Sequence, residues 1–171
     1  MPLSIRPAQL SDCAAITRIY APAVTHGTTS FELDAPDDAE MALRMGALTE
    51  KGFPYLVAEL DSVVVGYAYA GPYRTRPAYR FTVENSVYVA ADVQRRGVGR
   101  ALLEALIDAC TERGYRQMLA VIGDSPNQPG SIGLHQACGF TVVGRLPDVG
   151  FKFGRWLDSL LMQRALGDPS S

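Results

Sequence analysis

An apolar strand that passes through a glycine-rich turn directly into a helix is the feature that most constrains the fold of this chain. Val87-Tyr88-Val89 is the apolar strand, the turn Gln94–Arg100 carries three arginines, and an amphipathic helix follows from Gly99. The backbone N–H groups of such a turn and the amino end of the helix direct positive potential toward one point. The pattern therefore predicts a binding site for a phosphorylated ligand.

The spacing of the glycines excludes two common phosphate-binding loops. A Walker loop needs four residues between its first glycine and a Gly-Lys-Ser/Thr, and the chain has no such run. A dinucleotide loop needs a third glycine where Leu102 stands. What remains is Q-x-x-G-x-G over Gln94–Gly99, which resembles the pyrophosphate loop of the GCN5-related N-acetyltransferases. Taken alone, the pattern is equally consistent with a turn whose arginines are merely solvated.

Composition limits the classes of protein that the chain can belong to. With 171 residues, 47% of them hydrophobic, it can bury a core as one domain, which we place at residues 1–166, with a polar tail at 167–171. A net charge of -2 and no long apolar run argue against nucleic-acid and membrane partners. The three scattered cysteines and two histidines predict free thiols in the cytoplasm and no metal site.

Hydrophobic periodicity and turn residues predict an α/β (α+β) fold, with a mixed, mostly antiparallel sheet flanked by helices. Ser11 is the expected cap of the first helix, Ala21–Pro36 a connecting segment, and Asp37 with Glu40 a capping box that opens the second helix. The predicted strands are Leu3–Arg6, Tyr55–Glu59, Val63–Ala70, Arg80–Val89, Met118–Ile122, Thr141–Val143 and Leu157–Met162, and the two later helices are Gly99–Arg113 and Ser131–Cys138.

Three longer blocks extend the resemblance well beyond the turn. Ala70–Val89, Ser131–Phe140 and Val149–Asp158 resemble the phosphinothricin and methionine sulfoximine/sulfone N-acetyltransferases, a subfamily of the same superfamily. The blocks and their spacing cover most of Tyr55–Gln163. The resemblance implies the GNAT fold, a homodimer, and direct transfer of acetyl from acetyl-CoA to the α-amino group of a small amino acid analogue.

The residues expected to bind acetyl-CoA come from the turn, the strand before it and a later loop. Backbone N–H groups around Val87–Val89 are the expected site for negative charge on the thioester oxygen. The resemblance adds Ser131 and an asparagine; because this loop is one residue longer, either Asn127 keeps that contact or Gln128 takes its place, and we expect Asn127. The full set is Val87, Tyr88, Val89, Gln94, Arg95, Arg96, Gly97, Val98, Gly99, Arg100, Asn127 and Ser131.

Two residues are predicted to be catalytic. Acetyl transfer needs a neutral amine and a proton for the departing thiolate. Strand alternation puts Glu84, Ser86 and Tyr88 on one face, and a partly buried Glu84 can accept the proton of the amine, directly or through water. His135 stands where the resemblance implies a proton donor to the thiolate; a residue that orients a proton relay and a structural histidine are the alternatives.

The acceptor is expected to be held near Glu84. The resemblance places Arg74 and Arg76 at the end that binds the amine, where a guanidinium suits a substrate carboxylate; two solvated loop arginines are the alternative. Aromatic residues are expected to form the walls of the pocket. The predicted acceptor set is Phe31, Tyr73, Arg74, Arg76, Thr82, Val83 and Glu84.

Two other functions stay open at this stage. An enzyme of the same fold can acetylate a polyamine, a peptide N-terminus or an antibiotic, although a short arginine-bearing turn suits an anionic substrate better than a cationic one. A coenzyme A binding module without catalysis is the second alternative. The presence of both Glu84 and His135 argues against it.

Overall fold

The computed structural model describes residues 2–168, which form four α-helices and one seven-stranded sheet. The strand order is β1-β2-β3-β4-β5-β7-β6; β4 and β5 are parallel, and the other neighbouring pairs are antiparallel. This confirms the mixed, mostly antiparallel sheet. The elements are β1 (Leu3–Pro7), α1 (Cys13–Thr25), α2 (Asp38–Thr49), β2 (Tyr55–Leu60), β3 (Val63–Pro72), β4 (Thr82–Val89), α3 (Val98–Glu112), β5 (Gln117–Gly123), α4 (Pro129–Ala137), β6 (Thr141–Lys152) and β7 (Arg155–Ala165).

Helices pack on both faces of the sheet, and each face has its own hydrophobic core. The predicted stripe of α3 is buried against one face, where Leu102, Leu103 and Leu106 have no exposed surface. On the other face, α1 and α2 bury Ile16 and Met45 against tyrosines of β2 and β3. Within residues 2–168, no helix has the length and apolar character needed to cross a membrane. Residues 169–171 of the predicted tail lie outside the described part.

The predicted start of the first helix and the segment after it need correction. Ser11 lies in a short 3-10 turn, and α1 begins two residues later, at Cys13. The helix then continues to Thr25, so that Ala21–Thr25 is helical and not a connecting segment. Pro22 removes one backbone donor inside α1, but Val24 is almost fully buried, and this packing outweighs the helix-breaking tendency of proline. The N-cap half of the predicted box is confirmed, since the Asp37 side chain accepts a hydrogen bond from the Glu40 N–H at 2.8 Å, whereas the Glu40 side chain accepts from Arg44 at 3.0 Å.

The last two strands are longer than the sequence indicated. The apolar periodicity around Thr141–Val143 ends at Gly144 and Pro147, yet β6 runs on to Lys152. Register shifts between Val142 and Gly144, and between Leu146 and Gly150, accommodate these residues as bulges. The strand therefore pairs with β7 on both sides of its irregular part and forms one edge of the sheet.

Candidate active site

A gap between β4 and β5 defines the site. The two parallel strands share three residue pairs, the last being Glu84 with Leu119, and then diverge. Beyond that point β4 stays paired with β3 as far as Val89, while β5 stays paired with β7 as far as Gly123. A cavity lies where the strands separate, and residues of β4, β5, α1 and α4 line it.

The edge of β4 that faces the gap presents unpaired backbone groups. Ala90 donates its N–H to Val65 of β3 at 2.8 Å. Since successive residues of a strand direct their N–H groups to alternate edges, those of Val89 and Val87 point toward the gap. Both residues line the cavity. The structure thus provides the unpaired donors that the sequence could only suggest.

The glycine-rich turn follows β4 and leads into α3. Arg95 and Gly97 both have left-handed backbone conformations, with φ of 64° and 80°, which turn the chain sharply before the helix. Gly97 is the N-cap of α3 and provides no capping side chain. The first N–H groups of the helix therefore remain available to an anion, as in other helix N-terminal sites. A second cavity lies along this turn.

The far wall of this second cavity is the amino end of α4 and the loop before it. Asn127, Gln128 and Ser131 all line the cavity, so both candidates for the cofactor contact are near it. The Asn127 side chain donates to Asp124 at 3.1 Å, whereas Gln128 donates to Thr28 at 3.4 Å.

Asp124 fixes the loop that carries these two residues. It is buried, has a left-handed backbone with φ of 54°, and accepts hydrogen bonds from Arg155 and Thr28 at 2.7 Å each, as well as from Asn127. These donors, led by Arg155, lower the pKa of the Asp124 carboxyl to about 2. It therefore carries a full negative charge at neutral pH.

His135 and Asn85 bridge the two diverging strands. Asn85 of β4 donates through its amide nitrogen to the Leu119 carbonyl of β5 at 3.3 Å, which turns the amide oxygen toward His135. His135 Nε2 lies 3.2 Å from that oxygen, and Nδ1 lies 2.7 Å from the Ser131 carbonyl oxygen. Burial lowers the pKa of the imidazole. A neutral imidazole carries one proton, and the shorter contact of Nδ1 favours that nitrogen as its place. Nε2 is then the position where a second proton can be gained and lost.

Glu84 lies in a third cavity, on the face of the sheet covered by α1. Burial raises the pKa of its carboxyl. The predicted alternation is confirmed, because Glu84, Ser86 and Tyr88 all line this cavity, with Phe31 on its wall. Along β4, Glu84 lies three residues before Val87, the first residue of the predicted cofactor set. A carboxylate with a raised pKa in a partly enclosed site has the properties of a general base.

The structure places the remaining predicted residues in several surroundings. Within residues 2–168, nine of the twelve predicted cofactor residues line the cavity along the turn. The three that do not line it are Tyr88, Arg96 and Val98. Val98 is buried in the core beside Gly66, and Tyr88 packs against Tyr20. The predicted roles of the whole set stay predictions.

Five predicted acceptor residues, Tyr73, Arg74, Arg76, Thr82 and Val83, line none of the three cavities described above. Val83 is fully buried because its position in β4 faces the core. Arg74 lies over the rings of Tyr73 and Tyr79, at 5.3 and 5.8 Å from their centroids. The structure therefore places Phe31 and Glu84 in one cavity, and the other five predicted acceptor residues are not among those that line it.

Several lining residues were not predicted from the sequence. Pro129, Gly130 and Leu134 line the cavity along the turn, and Tyr20, Ser30 and Glu32 line that of Glu84. These residues come from elements far apart in the chain, and their sequence pattern is that of ordinary helix or loop positions. A clue did exist for Ser30 and Glu32, since they flank Phe31 in a segment without periodicity.

Comparison with known proteins relates this geometry to characterised chains. The sequence model of the acetyltransferase (GNAT) domain matches residues 5–161. The chain is 53% identical to phosphinothricin N-acetyltransferase of Alcaligenes faecalis over 95% of this chain and 82% of that one. It is 42% identical to L-methionine sulfoximine/L-methionine sulfone acetyltransferase of Salmonella typhimurium, over 97% and 96%. It superposes with a TM-score of 0.95 on a phosphinothricin acetyltransferase from Sinorhizobium meliloti in complex with acetyl-CoA, at 45% identity over 100% of this chain and 92% of that one.

Proposed function

Because the chain belongs to the acetyltransferase (GNAT) family, we propose that it transfers acetyl from acetyl-CoA to the α-amino group of a small amino acid analogue. Phosphinothricin, methionine sulfoximine and methionine sulfone are the candidate acceptors, since proteins 53% and 42% identical to the chain carry these names. The observation that carries the proposal is the continuity of the site: the gap between β4 and β5 joins the glycine-rich turn to the cavity of Glu84.

The residues around the turn fit a pyrophosphate. The uncapped amino end of α3 and the exposed backbone of Gln94–Gly97 supply N–H donors, and Arg95 lines the same cavity. Arg100 also lines it, but its guanidinium is paired with Glu104 at 2.7 Å and contributes less. Asn127 and Ser131 complete the opposite wall. Main-chain donors therefore account for most of the binding, because exposed arginine charges are individually weak.

Acetyl-CoA supplies an acetyl group activated as a thioester, and the protein has three tasks to perform on it and on the amine. Glu84 removes a proton from the acceptor ammonium, directly or through one water. The N–H groups of Val87 and Val89 donate to the thioester carbonyl oxygen as negative charge develops there. His135 relays a proton to the departing thiolate through Nε2, which takes that proton up from water before giving it to the sulfur. Arg74 and Arg76 stay our prediction for the carboxylate of the acceptor, on the loop that precedes β4.

The direct test of the function is thiol release from acetyl-CoA in the presence of each candidate acceptor. We expect turnover with at least one of phosphinothricin, methionine sulfoximine and methionine sulfone, and little with spermidine, because a polyamine has no carboxylate for Arg74 and Arg76 to bind. Binding of acetyl-CoA in a calorimeter without turnover of any acceptor would instead indicate a binding module. Turnover of spermidine alone would point to a different amine.

Replacement of Glu84 by glutamine tests the general base. We expect kcat/KM at neutral pH to fall by roughly 10²–10⁴. In the native enzyme kcat/KM rises as pH increases through the pKa of Glu84, which burial has raised, because only the ionised carboxylate accepts a proton. That rise is lost in Glu84→Gln. The exposed Glu112 of α3 provides the control, and Glu112→Gln is expected to retain native activity. A Glu84→Gln enzyme with nearly full activity would rule out this base.

The proton-donor role of His135 is tested against its bridging role by two substitutions. His135→Gln is expected to lower kcat by about 10²-fold or more. Asn85→Ala removes the bridge to Leu119 but keeps the imidazole, so it should lower kcat much less. Steady-state kinetics with saturating acetyl-CoA compares the two. Equal losses in both variants would mean that His135 acts only by holding Asn85.

We also propose that the enzyme is a homodimer through the β6–β7 hairpin. Phe151 and Trp156 pack together with their ring centroids 4.9 Å apart, on a hairpin whose apolar side chains are largely exposed. Several large apolar side chains exposed on one hairpin are typical of an interface. The exposed members are Val142, Val143, Leu146, Val149, Phe151, Phe153 and Trp156. We place the enzyme in the cytoplasm, in keeping with the free thiols of Cys13, Cys110 and Cys138.

Light scattering tests the dimer. The native protein is expected to have twice the mass of one chain, and Phe151→Asp to shift the mass toward that of a monomer. Leu43→Asp, at an exposed leucine of α2, is the matched control and should leave the mass unchanged. A native protein that stays monomeric at micromolar concentration contradicts the proposal.

A further inference from the structure

The ring of Phe31, on the wall of the acceptor cavity, lies between the backbones of two strands. A Cβ atom built on Gly123, the last residue of β5, would lie 2.5 Å from Cε1 and 2.9 Å from Cζ of Phe31. A Cβ atom on Gly150 of β6 would lie 2.8 Å from Cδ2 and 2.9 Å from Cζ, and closer still to Cε2. Real Cβ atoms do not approach other heavy atoms so closely. The ring therefore occupies the space that a side chain at either position would need.

Backbone conformation does not explain either glycine. Gly123 and Gly150 both lie in strands, and neither has the left-handed φ that favours glycine elsewhere in the described chain. Glycine inside a strand weakens it, and it often marks a close approach of another group. The close approach of Phe31 is the reason that the structure offers for both.

The segment that carries Phe31 is anchored on each side of the ring, at Thr28 and Ser30 before it and at Glu32 after it, which pairs with Arg44 of α2 at 2.5 Å. Lys152, two residues after Gly150, is buried and donates to the Ser30 carbonyl at 2.7 Å. The Tyr20 and Ser30 hydroxyls are hydrogen-bonded at 2.7 Å, and Thr28 donates to Asp124 at 2.7 Å. The segment cannot easily move away as a whole. Phe31 is 38% exposed and lines the cavity, so the cavity offers the ring space into which it can move.

We propose that Gly123 and Gly150 determine which acceptors the enzyme takes, by setting how far the Phe31 ring projects into the acceptor cavity. This inference rests on the proposed function, since it assumes that the cavity of Glu84 holds the amine. A methyl group at either glycine displaces the ring into the cavity and shortens the space for the acceptor side chain. Acceptors with longer side chains lose more than shorter ones. A methyl group at Gly150 leaves acetyl-CoA unaffected, because Gly150 lines neither the gap between β4 and β5 nor the cavity along the turn.

The test is a double-mutant cycle on Gly150 and Phe31, with kcat/KM measured for methionine sulfone and for its homologue shorter by one methylene, S-methylcysteine sulfone. Gly150→Ala is expected to lower kcat/KM for methionine sulfone about tenfold relative to the shorter acceptor, the usual effect of one methylene in a tight pocket. KM for acetyl-CoA should stay unchanged. In the Phe31→Ala background the same substitution should have no effect, because the overlapping ring is gone.

Gly144→Ala is the matched control, since Gly144 also lies in β6 and a Cβ atom there meets nothing within 4 Å. This substitution should leave kcat/KM unchanged for both acceptors. An equal effect of Gly150→Ala with and without Phe31 would overturn the proposal. If Gly150→Ala does not fold, recovery of folding in Gly150→Ala/Phe31→Ala supports it, and failure of that double variant to fold contradicts it.

The two proposals fail in different ways. A native enzyme that releases no thiol with phosphinothricin, methionine sulfoximine or methionine sulfone contradicts the proposed function. The unfolding free energies of the same four proteins still test the Phe31 site, because a direct overlap makes the two substitutions non-additive. Additive unfolding free energies would overturn it independently of any turnover.

Discussion

The parting of β4 and β5 after three shared residue pairs is the constraint on which the rest of the site depends. A parallel pair that stayed together would bond the N–H groups of Val87 and Val89 to β5 and leave no gap between the strands. Because the strands diverge, these donors remain unpaired and a cavity opens. The bridge from Asn85 to His135 and to the Leu119 carbonyl limits the opening to one end.

Electrostatics divides the site into two ends with different chemistry. At the turn before α3, main-chain dipoles provide positive potential without a buried charge, which suits a ligand with phosphate groups. At the other end, Glu84 is partly enclosed and its pKa is raised by burial, so that it accepts a proton more readily than an ordinary carboxylate. Asp124 connects the two ends, because it holds Asn127 on the cofactor side and, through Thr28, the segment that leads to Phe31 in the acceptor cavity.

The local sequence pattern was sufficient to predict the turn before α3 and the face of β4 that carries Glu84. The strand, turn and helix around Gln94–Gly99 follow from glycine spacing and apolar periodicity, and alternation along β4 correctly put Glu84, Ser86 and Tyr88 on one face. Features decided by packing between distant segments were not accessible. The extension of α1 past Pro22, the continuation of β6 past Pro147 and the position of Phe31 between two glycines all depend on neighbours far away in the sequence. The roles of Arg74 and Arg76 stay a prediction: their residue type suits a carboxylate, and the fold places Arg74 over the rings of Tyr73 and Tyr79.

A crystal structure of the complex with acetyl-CoA tests the central claim most directly. The account requires the thioester to lie in the gap, its carbonyl oxygen about 2.7–3.2 Å from the N–H of Val87 or Val89, with the pyrophosphate against the backbone of residues 95–99. Acetyl-CoA bound elsewhere on the surface, outside the gap between β4 and β5, would contradict this claim.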